Sequence, residues 1–165
     1  MAMQGVAQPE VMAISPRLRL RRYTGEIEQA LSWYQDSETV WLVDGDQELY
    51  TLELLTEMYN WWSKEHEVYW IEYLVAGAYF PIGDVSFGRE DLAIVIGHPD
   101  YRRRGIGTQV IRALISRAAA LGFEAVYVEE IYDWNEGSKR CFQALGFKAY
   151  EKTAKGQRYC LKLNQ

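Results

Sequence analysis

A run of three arginines followed by two glycines is the stretch of this sequence best suited to chemistry. It reads Arg102-Arg103-Arg104-Gly105-Ile106-Gly107. Arginine side chains match phosphate oxygens in charge and geometry, and glycines let a ligand approach the backbone closely. The run therefore predicts a turn that binds an anion, with phosphate or pyrophosphate as its ligand. The alternative interpretation is a surface turn whose arginines face water.

Two familiar phosphate-binding motifs do not account for this turn. It is not a dinucleotide-binding fingerprint, because Val110 occupies the place of the third glycine. It is not a Walker A loop, because no Gly-Lys-Ser/Thr triplet occurs there. The anion-binding prediction therefore depends on the elements around the turn.

The residues on either side of the turn predict a strand and a helix. Residues 92–96 form an apolar run, typical of a strand that is covered on both faces. From Val110 onward, apolar residues recur at the spacing of one helical face, and Gly122 marks the end of that helix. A helix that begins directly after the turn presents unpaired N–H groups and a partial positive charge. This arrangement strengthens the prediction of an anion site.

A second pattern follows the helix. It is spaced as Asn135-x-x-Ser138-x-x-x-Phe142-x-x-x-Gly146-Phe147. Together with Arg102-x-x-Gly105-x-Gly107, this segment resembles the two acetyl-CoA-binding motifs of the GCN5-related N-acetyltransferase (GNAT) superfamily. The resemblance is specific over residues 82–150 and loose before them.

The resemblance implies an α/β (α+β) fold with a mixed, mostly antiparallel central sheet, a splayed pair of parallel strands and flanking helices. It implies acetyl-CoA as cosubstrate in the notch between the splayed strands, and no metal. The backbone of Val95, Ile96 and Gly97 would pair with the pantetheine arm, although the family usually has an aliphatic residue in place of Gly97. The other implied cofactor contacts are Arg102, Arg103, Arg104, Gly105, Ile106, Gly107, Thr108, Asn135, Ser138 and Phe142. Asn135 is equally suited to be a helix N-cap.

Acyl transfer to an amine requires the neutral amine, and only about one lysine-like amine in a few thousand is neutral at pH 7. A general base is therefore useful. Glu130 matches the position of a glutamate base in the bacterial ribosomal-protein acetyltransferases, and Asp91 matches one in the histone acetyltransferases. We rank Glu130 first. The alternatives are a salt bridge for Glu130 and a strand-start or turn role for Asp91.

The protonation of the departing CoA thiolate raises a separate question. Many family members have a tyrosine at the position of Phe142 for this purpose, and phenylalanine has no proton to donate. Tyr132 and water are the candidate replacements. The thiolate could also leave unaided, so Phe142 does not exclude an enzyme.

Composition favours one globular domain. The chain has 165 residues, of which 48% are hydrophobic and 25% charged. We predict a single domain over residues 1–165, with a flexible lead-in over residues 1–16. The sequence contains no apolar run long enough to span a bilayer, no secretory signal and no metal-type cysteine cluster. These observations favour a cytoplasmic protein with no membrane partner.

Charge is distributed unevenly along the chain. The net charge is −9 over residues 1–90 and +4 over residues 91–165. The basic half contains the proposed cofactor site, so the acidic half would face a cationic substrate, and nucleic acid is disfavoured as a partner. The alternative is an acidic surface that only maintains solubility. Homodimers are common in the family, so a homodimer is open to this chain as well.

The first half of the chain contains a strand, an irregular segment and two helices. Residues 17–23 alternate polar and apolar, which predicts a strand. Residues 26–33 and 51–64 predict helices, and residues 35–50 are predicted to be irregular. In the family these early helices form one wall of the acceptor site.

We therefore predict an acetyl-CoA-dependent N-acetyltransferase that modifies a primary amine of a cationic small molecule by direct attack in a ternary complex. An aminoglycoside or a polyamine fits, and residues 15–23 and the Asn135 segment weakly resemble aminoglycoside 6'-N-acetyltransferases. One alternative is a protein N-terminal or lysine acetyltransferase. Another is a catalytically silent acyl-CoA-binding module, which Phe142 favours. A third is a protein-interaction module that uses the early aromatic helices.

Overall fold

Two β-sheets form the framework of the protein. The computed structural model describes residues 3–46 and 48–163. The larger sheet has the order β1-β2-β3-β4-β5 and the smaller the order β6-β8-β7, with antiparallel neighbours throughout. The strands of the larger sheet are β1 (Val11–Ala13), β2 (Leu18–Arg22), β3 (Glu67–Val75), β4 (Ala78–Phe87) and β5 (Leu92–Ile96). Those of the smaller sheet are β6 (Ala125–Tyr132), β7 (Lys148–Lys152) and β8 (Gly156–Lys162).

Helices cover the sheets and connect them. The α-helices are α1 (Leu31–Tyr34), α2 (Ser37–Asp44), α3 (Leu52–Glu65), α4 (Ile106–Ala120) and α5 (Glu136–Ala144). Single 3-10 turns precede α1 at Glu28–Ala30 and the arginine run at Pro99–Tyr101. Within the described residues, no helix is both long and apolar enough to cross a membrane.

β5 and β6 lie at the junction of the two sheets. They are linked through α4, a strand–helix–strand connection typical of parallel strands. A carboxylate oxygen of Asp91 accepts a hydrogen bond from the backbone N–H of Glu129 at 2.8 Å. Among the described residues β5 and β6 form no ladder, so the strands are splayed. The predicted mixed, mostly antiparallel fold with a splayed parallel pair is confirmed.

Two hydrophobic clusters pack against opposite faces of the larger sheet. One is dominated by aliphatic residues and receives the buried face of α4, including Val110, Ile111 and Leu114. The other is dominated by aromatic residues of the first half, including Trp33, Tyr34, Tyr59 and Trp70. The amphipathic pattern of α4 therefore fulfils its prediction, and the early aromatic residues form mainly a core.

The predicted flexible lead-in over residues 1–16 is wrong where the structure describes it, from residue 3 onward. Met3 and Val6 are buried in the aliphatic cluster. β1 pairs with β2 in register, with Met12 opposite Leu20. Burial and strand pairing offset the entropy that a free segment would keep. Residues 1 and 2 lie outside the described part of the chain.

The prediction of an irregular segment over residues 35–50 is also wrong in part, because α2 occupies Ser37–Asp44. Asp36 is its N-cap and accepts a hydrogen bond from the N–H of Thr39 at 3.0 Å. Gly45 ends it in the left-handed conformation, at φ +63°. These caps are recognisable signals, but the acidic composition obscured them. Residue 47 lies outside the described part of the chain.

Candidate active site

The turn before α4 presents backbone N–H groups that no side chain caps. Asp36, Thr51 and Asn135 cap α2, α3 and α5 through their side chains. In contrast, the N-cap of α4 is Gly105, and no side chain among the described residues caps its first turn. The first donors of α4 are therefore available to a ligand.

Positive backbone φ angles shape this turn. Arg103 has φ +60° and Gly105 has φ +77°. Left-handed residues that alternate with ordinary ones aim successive N–H groups into one concavity, which suits an anion. Gly107 leaves that concavity open, because the nearest atom to a Cβ placed there would be Cδ1 of Ile94 at 4.0 Å. We call residues 102–108 the anion cradle.

The three arginines of the cradle have different surroundings. Nε of Arg102 donates to the carbonyl of Ile96 at 2.9 Å, and one of its terminal nitrogens donates to Oγ1 of Thr39 at 2.8 Å. Arg102 therefore ties the end of β5 to α2. The Arg104 guanidinium lies over the ring of Tyr101, 4.9 Å from its centroid, and the Arg103 side chain is exposed.

A cleft of about 760 Å³ opens beside the cradle, and we call it the cofactor-side cleft. Most of the residues that the motifs assign to acetyl-CoA line it. They are Val95, Ile96, Arg102, Arg103, Gly105, Ile106, Gly107, Thr108, Asn135, Ser138 and Phe142.

Gly97 and Arg104 are not among the lining residues that the structure describes. Gly97 is buried beneath Trp33, and a Cβ at this position would lie 2.2 Å from Cγ of that indole. The indole therefore explains why glycine replaces the aliphatic residue that is usual in the family.

Asn135 adopts the helix N-cap role. Its Oδ1 accepts a hydrogen bond from the N–H of Ser138 at 3.2 Å. Its Nδ2 donates to the carbonyl of Leu42 at 3.3 Å. The amide thus joins α5 to α2 while it lines the cleft.

A second cleft, of about 370 Å³, lies beside the carboxyl-terminal end of α2, and we call it the acceptor-side cleft. Its lining includes four carboxylates, those of Asp44, Asp91, Glu129 and Glu130. The cationic residue in its lining is Arg158, whose guanidinium lies 3.2 Å from the carboxylate of Glu151. The charge of this cleft is therefore negative.

The two clefts meet at a common wall. The residues that line both are Leu42, Val43, Ile94, Val95, Asn135, Ser138 and Phe142. The Phe142 ring is buried and packs edge-to-face on Phe147, 5.0 Å between centroids. Five of the seven shared residues are apolar, so the boundary between the two clefts is mostly apolar.

Both predicted base candidates line the acceptor-side cleft. Glu130 is half-buried and accepts a short hydrogen bond from the hydroxyl of Thr153. Asp91 is also half-buried, and burial raises the pKa of its carboxyl group. A raised pKa brings a carboxylate closer to the working range of a general base.

Tyr132 lines the same cleft, but its hydroxyl group already has a partner. It donates to the backbone carbonyl of Asp44 at 2.9 Å. Burial raises the pKa of this hydroxyl, and the nearby Glu130 and Asp44 carboxylates raise it further. Tyr132 therefore remains a donor to α2 at neutral pH.

Asp44 is a cleft residue that sequence reasoning missed. Its Oδ2 accepts a hydrogen bond of 2.5 Å from the Tyr50 hydroxyl, and burial raises the pKa of its carboxyl group. The signal that could have identified it was the end of α2, since Gly45 directly follows Asp44. Recognition of that helix would have placed Asp44 beside the acceptor-side cleft.

Asp84 is a second missed residue, and it lies beneath the wall. It is fully buried on β4, where its Oδ2 accepts hydrogen bonds from the hydroxyls of Tyr34 at 2.8 Å and Tyr59 at 2.6 Å. Burial raises its pKa to about 6, although the two hydroxyls act in the opposite direction. One carboxylate thus anchors both α1 and α3. No local pattern distinguishes Asp84 from an exposed strand residue.

Comparison with solved structures identifies proteins of the same fold. A domain from Methanocaldococcus jannaschii DSM 2661 is 19% identical with a TM-score of 0.78, covering 89% of this chain and 99% of that one. An acetyltransferase from Agrobacterium tumefaciens str. C58 is 16% identical with a TM-score of 0.74, covering 96% of each chain. The aminoglycoside acetyltransferase AAC(6')-Ib in complex with coenzyme A is 17% identical with a TM-score of 0.71, covering 88% and 94%.

The sequence comparisons complete this picture. Among curated proteins, no sequence matches the chain significantly. Residues 27–147, well over half of the chain, match the Acetyltransferase (GNAT) family. The cradle, the splayed strands and this match agree: the chain belongs to the GNAT family and is an N-acetyltransferase.

Proposed function

We propose that the protein transfers the acetyl group of acetyl-CoA to a primary amine of a cationic small molecule, by direct attack in a ternary complex. The observation that carries the proposal is the pair of clefts, one beside the cradle and one lined by carboxylates, which share a wall at the splay. Unlike charges on the two sides suit an anionic cosubstrate and a cationic acceptor. Their common wall suits a reaction between the two ligands.

The residues beside α4 fit the phosphates and the pantetheine arm of acetyl-CoA. The uncapped N–H groups of the first turn and the Arg103 and Arg104 side chains suit the phosphates. The backbone at Val95 and Ile96 borders the cleft where the pantetheine amides would pass. Acetyl-CoA, when bound, supplies an activated acyl group as a thioester.

The acidic lining supports a cationic acceptor. Carboxylates come from three elements, with Asp44 on α2, Asp91 before β5, and Glu129 and Glu130 on β6. Solved structures of AAC(6')-Ib that share this fold contain ribostamycin or paromomycin together with coenzyme A or acetyl-CoA. An amine with several positive charges, of aminoglycoside or polyamine type, is the acceptor class that we propose for this chain.

We assign the general base to Glu130, with Asp91 as its rival. The base removes a proton from the ammonium group, so that the nitrogen lone pair becomes available for attack. The Thr153 hydroxyl orients one Glu130 oxygen and leaves the other open to an amine or a bridging water. Asp91 has one oxygen engaged by the backbone N–H of Glu129, which holds the carboxylate in place; this bond lowers the pKa of Asp91, but burial outweighs it and the pKa is raised.

The departing thiolate takes its proton from water in this proposal. Phe142 has no proton to donate. The Tyr132 hydroxyl donates to the Asp44 carbonyl, so its use as an acid would break a contact with α2. Water in the wide cofactor-side cleft needs no such rearrangement.

The test is release of free thiol from acetyl-CoA in the presence of a panel of amines. We expect acetylation of ribostamycin, spermidine or another polycationic amine, and little reaction with neutral or anionic amines. A lysine-containing peptide and a peptide with a free N-terminus belong in the panel as well. Preference for a peptide would replace the small-molecule assignment, and coenzyme A binding without turnover of any amine would contradict the enzymatic one.

A further inference from the structure

The carboxyl-terminal end of α2 is held by side chains from the opposite side of the splay. Carbonyl oxygens at the end of a helix lack partners within the helix, and donors there are stabilising. Four such donors reach carbonyls at the end of α2, of which that of Trp41 also accepts the N–H of Gly45. They are Trp134 Nε1 to Trp41 at 3.0 Å, Asn135 Nδ2 to Leu42 at 3.3 Å, Tyr132 Oη to Asp44 at 2.9 Å and Lys155 Nζ to Gly45 at 3.4 Å. We call these four donor residues the latch.

Three stacked aromatic rings reinforce the latch. The Trp134 indole lies between the other two rings, 4.3 Å from the Trp41 centroid and 4.9 Å from the Tyr132 centroid. The interplanar angles are 16° and 2°. A Cβ on Gly45 would lie 3.0 Å from the Trp134 ring, so the end of α2 sits directly against this stack. Trp134 is therefore the central member, since it contributes both a donor and the middle ring.

The other end of α2 has a separate attachment. Arg102 donates to Oγ1 of Thr39, which is buried at 3% exposure. The rest of α2 buries little, since Thr39 and Val40 are its buried residues. An eight-residue helix is marginal in isolation, so tertiary contacts must hold this one in place. The Arg102 contact therefore holds the cofactor-side end of α2, and the latch holds its acceptor-side end.

We propose that Trp134 is a specificity-determining positioning residue, which latches α2 across the splay so that Val43 and Asp44 form a fixed wall of the acceptor-side cleft. This inference rests on the proposed function for the identity of the two ligands. Tyr132 and Asn135 belong to the same latch, and they act through α2. The acceptor range of the enzyme then depends on how firmly the latch holds.

The first experiment measures the latch without any substrate. Trp134→Phe keeps a ring in the stack and loses the N–H donor, whereas Trp134→Leu loses both. The control is Trp61→Leu, which changes an exposed tryptophan of α3 that does not line either described cleft. We expect amide hydrogen exchange over residues 37–44 to accelerate by about tenfold or more in Trp134→Leu, less in Trp134→Phe, and not in Trp61→Leu. Exchange in β3 should stay unchanged in all three variants.

A spectroscopic signature accompanies that change. Two indoles stacked at 4.3 Å couple their electronic transitions, and a skew between the transition dipoles turns this coupling into a paired positive and negative band in circular dichroism. The band pair should disappear in both Trp134 variants and persist in Trp61→Leu. Unchanged exchange over residues 37–44 in a folded Trp134→Leu protein would overturn the latch.

The second experiment separates the two substrates. Trp134 itself borders the cofactor-side cleft. With the amine that the thiol-release assay identifies, we still expect Trp134→Leu to raise the KM of the acceptor by about tenfold and that of acetyl-CoA by only about threefold. The reason is that the cofactor-side end of α2 stays attached through Arg102 and Thr39. Trp134→Phe should restore most of the acceptor KM.

Equal increases in both KM values would overturn the specificity role and leave Trp134 as a general structural residue. If no amine is acetylated, the proposed function fails, and hydrogen exchange and circular dichroism still decide whether the latch exists. The two failures are therefore distinguishable.

Discussion

In the proposed function the anion cradle and the acceptor wall, formed by α2, belong to one site, but they are built in opposite ways. The cradle comes from the continuous residues 102–108 and offers mainly backbone groups at a helix start. The wall consists of α2, held by side chains that lie as far as 110 residues away in sequence. A local segment that binds through its backbone carries a recognisable pattern of residues. A wall assembled from distant side chains carries none, and this wall is the part that would choose the acceptor.

This contrast predicts that substitutions in the two regions have different effects. Changes in the cradle, apart from Arg102, should act on coenzyme A affinity alone, because the groups involved face the cofactor side. Changes in or beneath the wall should act on stability and on the acceptor. The following experiments test where this separation holds, beginning with the largest expected effect.

Asp84 offers the strongest test on the wall side, through pH. An aspartate has an ordinary pKa of about 3.9, and burial raises that of Asp84 to about 6. The folded protein therefore holds the Asp84 proton more tightly than the unfolded chain does. This contribution to stability is fully present below about pH 4 and is lost as the pH rises through about 6.

Asp84→Asn has no proton to lose, so its unfolding free energy should improve relative to the wild type by up to about 3 kcal/mol between pH 4 and pH 7. Urea unfolding at several pH values measures the difference. Asp100→Asn, on an exposed turn, is the control and should show a smaller change. A constant difference between wild type and Asp84→Asn would show that Asp84 does not titrate in this range.

Glu130→Gln tests the chemical step. If Glu130 is the base, turnover should fall by roughly 10²-fold at nearly unchanged coenzyme A affinity. The acid limb of the pH–rate profile should also move, because the group responsible for it has been replaced. The measurement is turnover from pH 6 to pH 9 at saturating acetyl-CoA.

Asp91→Asn is the matched variant for this prediction. A collapsed profile in Asp91→Asn together with an unchanged one in Glu130→Gln would move the base to the start of β5. If neither variant changes the profile, the amine enters already neutral, and catalysis is mainly the positioning of the two reactants.

Gly107→Val tests the cradle. A valine side chain would enter the space above the first turn of α4, where we expect the phosphates. Coenzyme A binding should weaken by more than about tenfold, or about 1.4 kcal/mol, as measured by calorimetry. The structure leaves room for the Cβ itself, so the variant should fold.

Ala119→Val is its control, since it places the same side chain at an exposed position of the same helix. Coenzyme A affinity should stay at the wild-type value in this variant. Wild-type affinity in folded Gly107→Val as well would remove the cradle from the cofactor site.

Thr39→Val addresses the point where cradle and wall meet, with the smallest expected effect. The buried hydroxyl accepts from Arg102 at 2.8 Å and donates to Asp36 at 2.9 Å. Its loss should lower the free energy of unfolding by about 1 kcal/mol. Because α2 lines both clefts, coenzyme A affinity and acceptor KM should both worsen by about two- to threefold.

Thr56→Val, at a half-buried position of α3 that does not line either described cleft, is the matched control, and it should leave both coenzyme A affinity and acceptor KM unchanged. An effect of Thr39→Val on the acceptor alone would show that Arg102 does not hold the cofactor side of α2. That outcome would show that the cradle and the wall are more clearly separated than the contact between Arg102 and Thr39 suggests.

Much of the fold was predictable because its elements have strong local patterns. β2, α3, β5 and α4 follow from hydrophobic spacing and turn residues. α2 was missed because its caps lie in an acidic segment with little apolar periodicity. The structure of residues 3–16 was missed because Met3 and Val6 are buried by partners distant in sequence.

The sequence by itself determined the anion cradle, the family and the separation of basic and acidic halves. Each depends on residue types at fixed local spacing, which the chain carries wherever it folds. Only the tertiary structure decided what Arg102, Tyr132 and Asn135 touch, and all three reach α2 rather than only a ligand. The physical reason is that a hydrogen bond requires a distance of about 3 Å, so a long side chain bonds to whichever group the fold brings within that distance.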